Sequence, residues 1–249
     1  MGKTFEALMK AEKEGQKRLL EIVEVETKPL SRLNKPVKWS NLSQAMEEYL
    51  KMKHNILRLD LGKKIKSLLF LSPAEGEGNS DVLKNFGITL ASEGERVLIV
   101  DANLRNPVFH KVFDLEKENG LTELLLKQKT LMEVIKSTSL DNLFVITCGA
   151  DCPSPSFAFE SKSLNFHIGK MKGQADWVLF DSPPVNLFND AIILASRVDG
   201  VVMVIQAEKT RWEVAQRAKQ RIENGNRNII GVVLNKRRRY IPGWLYKRL

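Results

Sequence analysis

The chain has 249 residues, 43% hydrophobic and 28% charged, which suffices for one well-buried domain with short appendages and argues against wholesale disorder. Its formal charge is +9, and two thirds of it sits after position 235, where Lys236, Arg237, Arg238, Arg239, Lys247 and Arg248 occur with no acidic residue. That clustering points to a local acidic partner and not to a nucleic-acid-coating surface; no apolar run approaches the roughly 18–20 residues that span a bilayer.

In chain order, residues 3–25 predict a helix, with Phe5, Leu8, Met9, Leu19, Leu20 and Ile22 at roughly helical spacing. The start goes straight into charged residues, with no signal-peptide core. Residues 27–41 contain Pro29, Pro36, Ser31 and Asn34 without periodicity, and read as a linker or a strap over the surface. A second helix follows Asn41-Leu42-Ser43 and runs through Met46, Tyr49, Leu50 and Leu57. From Lys66 the texture changes to short apolar runs: Ser67–Leu71, Arg96–Val100, Leu143–Ile146, Trp177–Phe180, Gly200–Ile205 and Ile229–Leu234. Longer helical or loop stretches separate them. This alternation predicts an α/β fold, a mostly parallel sheet flanked by helices on both faces. The division expected is 1–42 for the N-terminal helix and linker, 43–239 for the α/β domain, and 240–249 for a basic aromatic tail.

The first run enters Ser72-Pro73-Ala74-Glu75-Gly76-Glu77-Gly78-Asn79-Ser80, followed by a helical stretch to about Ser92. A glycine-rich turn between strand and helix aims backbone N–H groups into a concavity, and the helix N-terminus adds positive partial charge, so anionic phosphates bind there. The second run ends on Asp101 and the fourth on Asp181. Carboxylates at the C-terminal ends of parallel strands, beside a phosphate loop, make a Mg²⁺ site completed by water and phosphate oxygens. Each Asp alone also has a plain reading as a helix N-cap. Cys148 and Cys152, with scattered His54, His110 and His167, lack the four-ligand pattern of a zinc site and read as free thiols.

The S-x-x-x-G-E-G-x-S loop, Val97-Leu-Ile-Val-Asp101-Ala-Asn103-Leu-Arg105-Asn-Pro107, Gly120-Leu-Thr-Glu-Leu124, Asp181-Ser-Pro-Pro-Val185 with Asp190-Ala191, and Gly231-Val-Val-Leu-Asn235 together resemble the cytoplasmic domain of bacterial tyrosine kinases, over about residues 43–239. That family accompanies exopolysaccharide and capsule synthesis, within the wider group of septum-site and chromosome-partition P-loop ATPases. The resemblance implies a P-loop NTPase-like fold that binds ATP or ADP with Mg²⁺. It assigns Gly76, Glu77, Gly78, Asn79, Ser80 and Asp81 to the nucleotide loop and Asn235 to the adenine. It implies that Asp101 and Asp181 are the catalytic acidic residues and that Ser80, Asp101 and Asp181 hold the metal. It further implies a membrane-spanning polysaccharide co-polymerase as partner, homo-oligomerisation, and a place at the inner face of the plasma membrane. Glu47, Tyr49 and Lys53 fall in a helix resembling the family's subunit-contact motif, where Leu50 and Lys53 replace two arginines.

Three departures touch the chemistry. Asn79 stands where the family has the lysine that reaches the β and γ phosphates, Asn103 replaces the second Asp of D-x-D, and Asp81 replaces a Thr or Ser. Only Tyr49, Tyr240 and Tyr246 are available as tyrosines, too few for a phosphorylated cluster. The expectation is therefore a degenerate kinase-like regulator. An active tyrosine autokinase, with Arg105 or a neighbouring subunit's lysine as substitute cation, is the alternative, and a partition-type ATPase the third. The tail, with Trp244, Leu245 and Leu249 among basic residues, fits an anionic membrane surface, an acidic partner or closure of the domain.

Overall fold

The computed structural model describes residues 21–24, 42–59, 65–161, 163–225 and 229–236. Strands β1 (Glu21–Glu24), β2 (Ser67–Leu71), β3 (Val97–Asp101), β4 (Lys136–Ser137), β5 (Leu143–Ile146), β6 (Trp177–Asp181), β7 (Gly200–Gln206) and β8 (Ile229–Asn235) form one sheet in the order β1-β8-β7-β2-β6-β3-β5-β4. All neighbours are parallel except the short β4, antiparallel to β5. The expected mostly parallel α/β fold is the one observed.

The apolar runs are continuous because both faces of the sheet are covered. Side chains alternate along a strand, so Leu68 and Phe70 of β2 join one buried cluster while Leu69 and Leu71 join the other. The first cluster packs under α1 (Leu42–Arg58) and α2 (Asn79–Ser92). Helix α1 presents Tyr49, Met52 and Ile56, one stripe at helical spacing, and all three are buried. Phe86 of α2 packs against the rings of Tyr49, Phe70 and Trp177. Tyr49 is thus a core residue, not an exposed tyrosine: it is 1% exposed, and Asn85 donates to its hydroxyl. Lys53, expected in a subunit-contact motif, pairs with Glu95 at 2.5 Å within its own chain.

The short α3 (Phe109–Val112) lies with the first cluster through Phe109 and the flanking Val108 and Phe113, and the opposite face carries α4 (Leu121–Leu125), α5 (Leu131–Val134), α6 (Pro155–Glu160), α7 (Ser163–Gln174), α8 (Asp190–Ala195) and α9 (Trp212–Asn224). No helix among the described residues is long and apolar enough to cross a membrane.

One expectation needs correction. The helix predicted over 3–25 is a strand at Glu21–Glu24, paired in parallel with β8 from Glu21 opposite Gly231 to Glu24 opposite Leu234. The β-branched pair Ile22-Val23 suits a strand, and β8 offers a row of backbone groups that a parallel neighbour satisfies. Residues 3–20 of that expected helix, the 27–41 strap and the 240–249 tail lie outside the described residues. The short β4 was not foreseen.

Candidate functional site

Strand β2 lies between β6 and β7, and the loop Ser72–Gly78 leaves its C-terminal end to start α2. Ligands of open parallel sheets bind at such ends, where neighbouring connections diverge. Gly76 and Gly78 have φ of 75° and 88°, the left-handed region that glycine enters without strain. Gly78 carries a second constraint, because a Cβ there would stand 2.2 Å from Asn235 Nδ2. Gly78→Ala is expected to lower stability by about 2 kcal/mol from both effects, a fall in Tm measurable by calorimetry.

The loop is braced from the strands behind it. Asn235 Nδ2 donates to the Glu77 carbonyl at 2.8 Å, and Lys236 Nζ donates to the Gly76 carbonyl at 2.7 Å. The Glu77 carboxylate accepts from the Thr210 hydroxyl at 2.6 Å and from the Ala74 amide at 3.2 Å. Burial raises the Glu77 pKa, and the Thr210 and Ala74 bonds offset part of that. Asn235, expected at an adenine, is fully buried and does not line the cavity; Glu77, expected among nucleotide contacts, does.

In front of the loop lies an open cavity of about 510 Å³, lined by Gly76, Glu77, Gly78, Asn79, Ser80 and Asp81 on one side. Lys84, Asn103, Arg105, Val108, Pro183, Pro184 and Phe188 are among the residues on its other walls. Position 79 is turned inward. The Asn79 Nδ2 group donates to the Phe70 carbonyl at 2.9 Å and to Asp181 Oδ1 at 2.6 Å, and its Oδ1 is buried without a hydrogen bond. Ser80 Oγ donates to Asp181 Oδ2 at 2.7 Å.

Asp181 and Asp101 sit side by side, register partners across β6 and β3, both fully buried and behind the cavity wall. Asp101 Oδ2 accepts from the amides of Val108 and Phe109 at 3.0 Å each, whereas its Oδ1 is buried with no hydrogen-bond partner. Burial pushes the Asp101 pKa up to about 7. Burial, and then the neighbouring Asp101 charge, push Asp181 up to about 8 against the bonds from Ser80 and Asn79. An unsatisfied carboxylate oxygen on Asp101, the Asp181 carboxylate beside it and the Ser80 hydroxyl in contact form a hard-oxygen donor set that suits Mg²⁺. No cluster of three or more His, Cys, Asp or Glu side chains among the described residues makes a metal site by itself; Cys148 is buried, Cys152 partly so, and both are free.

Among the described residues, two cations line the cavity. Arg105 pairs with Asp190 at 2.8 and 3.3 Å and lies over the Phe188 ring, 4.1 Å from its centroid. Ser156 also donates to Asp190. Lys84, one turn down α2 from Ser80, pairs with Asp81 at 2.9 Å. Sequence reasoning missed Lys84, although its spacing of four from Ser80 was a visible signal. It also missed Thr210, which no local pattern announces.

A parallel sheet, a glycine loop opening a helix and paired strand-end carboxylates define a P-loop α/β domain. Comparison with known families agrees: residues 74–229 match the AAA domain model AAA_31. The chain is 33% identical over 189 residues to the tyrosine-protein kinase YwqD of Bacillus subtilis, covering 76% of this chain and 80% of that one. It is 33% identical over 203 residues to the tyrosine-protein kinase CpsD of Streptococcus agalactiae, covering 79% and 87%. Among solved structures, the chimerical protein CapA2B2 superposes with a TM-score of 0.78 at 27% identity, over 88% of this chain and 96% of the other. The septum site-determining protein MinD from Pyrococcus horikoshii, complexed with Mg-ADP, shares the fold with a TM-score of 0.60 at 22% identity, over 74% and 76%. The chain belongs to the bacterial tyrosine-kinase family of P-loop proteins.

Proposed function

We propose that this protein is a nucleotide-binding, kinase-like regulator of exopolysaccharide or capsule assembly in which phosphotransfer is weak or absent. The observation that carries the reading is the state of position 79. Phosphoryl transfer depends on positioning and on neutralising charge over the transferred group. Here the residue at the lysine position is a neutral amide at the cavity's edge, its Nδ2 group engaged with Asp181 and the Phe70 carbonyl. The backbone cradle survives, with Gly76, Gly78 and the N-terminus of α2 in place for an ATP or ADP polyphosphate. Ser80, Asp101 and Asp181 would hold Mg²⁺. When bound, the metal neutralises charge on the phosphates and on the two acids.

The regulatory half of the proposal rests on kinship with tyrosine kinases. It assigns the protein to the inner face of the plasma membrane, working with a membrane-spanning co-polymerase and with further copies of itself. With Tyr49 buried in the core, a phosphate acceptor must come from Tyr240, Tyr246 or another chain. Purified protein incubated with Mg-ATP is expected to bind nucleotide but give little or no anti-phosphotyrosine signal. Strong autophosphorylation that disappears in Asp101→Ala would sink this reading.

A further inference from the structure

The two cavity cations differ in what their partners require. Asp190 has a side chain only 1% exposed, so the Arg105 guanidinium is committed to a carboxylate that would be costly to leave buried and unpaired. Asp81 is 44% exposed and sits in the first turn of α2, where water and the helix dipole already stabilise its charge. Lys84, by contrast, has a side chain just 5% exposed. Burying an ammonium for a half-exposed aspartate three residues away is a poor exchange, since exposed pairs of this kind contribute little. The lysine also reaches the right place. From four residues beyond Ser80 its side chain shares that face of α2 and leans toward the helix N-terminus, and it lines the same cavity as the loop.

We propose that Lys84 is the cation this site uses for a bound polyphosphate in place of the missing lysine at position 79, with Asp81 holding it until the anion arrives. The inference rests on the cavity being a nucleotide site, and it specifies where that site's positive charge resides. Lys84 is a binding residue in this scheme. It meets the phosphates from the side of Asp81, whereas the original lysine would come from the side of Asp181, so it supports affinity without restoring the charge at the transferring group.

The test is calorimetric titration of the full chain with Mg-ADP and with inorganic pyrophosphate. Lys84→Met keeps the buried length of the side chain and removes the charge. It should weaken both ligands by on the order of 10- to 100-fold, while the ligand-free Tm stays within a few degrees. Asp81→Asn, an exposed change that leaves folding intact, should tighten binding several-fold in the wild-type background. The gain should shrink when it is combined with Lys84→Met, because part of it comes from releasing the lysine. If the wild type binds Mg-ADP and Lys84→Met binds it equally well, or if the Asp81→Asn gain is the same in both backgrounds, the assignment of Lys84 is overturned while the nucleotide site stands. If the wild type binds neither probe, the site reading fails and the role of Lys84 with it.

Discussion

Asn79→Lys is expected to tighten Mg-ADP and Mg-ATP binding by about 10- to 100-fold, the yield of one added charged contact to phosphate. The introduced lysine replaces an amide that lies 2.6 Å from Asp181 Oδ1. In the ligand-free protein it would pair with that carboxylate and draw its pKa down from about 8. With nucleotide present it would turn to the phosphates, as the lysine of intact loops does. Titration calorimetry measures the affinity, and phosphotyrosine detection shows whether transfer returns with it. A gain in affinity without transfer would place the further block at Asn103 or in the supply of acceptor tyrosines. No gain in affinity at all would mean that the cavity has lost more than this one charge.

The second large effect concerns pH. Both buried acids have folded-state pKa values well above the unfolded 3.8, Asp101 at about 7 and Asp181 at about 8. The folded protein therefore keeps protons that the unfolded chain has already released. Their contribution is greatest near pH 4 and declines as pH rises toward 8. A displacement of the Asp101 size corresponds to a loss on the order of 3–4 kcal/mol across that window. Asp101→Asn removes the ionisation and keeps an acceptor for the Val108 and Phe109 amides. It adds an N–H group where Oδ1 had no partner, which offsets part of the gain. The expected net is a Tm higher by about 3–6 °C at pH 8 in metal-free buffer, vanishing near pH 4. Mg²⁺ should raise the Tm of the wild type most at the alkaline end and leave the variant nearly unmoved. Comparing the two proteins isolates the acid pair, because His110 and His167, with pKa values lowered by burial, make stability rise with pH over part of the same range. A flat difference between wild type and variant from pH 4 to 8 would show that Asp101 ionises normally.

Sequence patterns carried much of this structure for physical reasons. Strands buried on both faces must be apolar along their whole length, so β2, β3, β5, β6, β7 and β8 stood out as runs. The loop announced itself because glycine is needed where φ is positive, and Asp101 and Asp181 because a carboxylate ending an apolar run is conspicuous. What stayed hidden depends on partners distant in the chain. The segment Glu21–Glu24 has two adjacent β-branched residues, too short a pattern to outweigh helical spacing, and it becomes a strand because β8 is there to receive it. Asn235 reads as a ligand contact by its place in a motif, yet the fold turns its amide onto the loop backbone. Thr210 reaches Glu77 across 133 positions, and nothing near either residue encodes that meeting. The inward turn of Asn79 follows from acceptors on β2 and β6 that only the assembled sheet brings together.

The parallel strand laid along β8 also bears on solubility. Ile229-Ile-Gly-Val-Val-Leu-Asn235 carries no charge and no proline and is dominated by β-branched residues, the composition that stacks into intermolecular sheets when an edge is bare. Glu21–Glu24 occupies that edge and brackets it with two carboxylates. A chain trimmed to begin at residue 43, the boundary suggested by motif resemblance, would uncover it. Strand β1 thus shields the strand whose last residue steadies the phosphate loop.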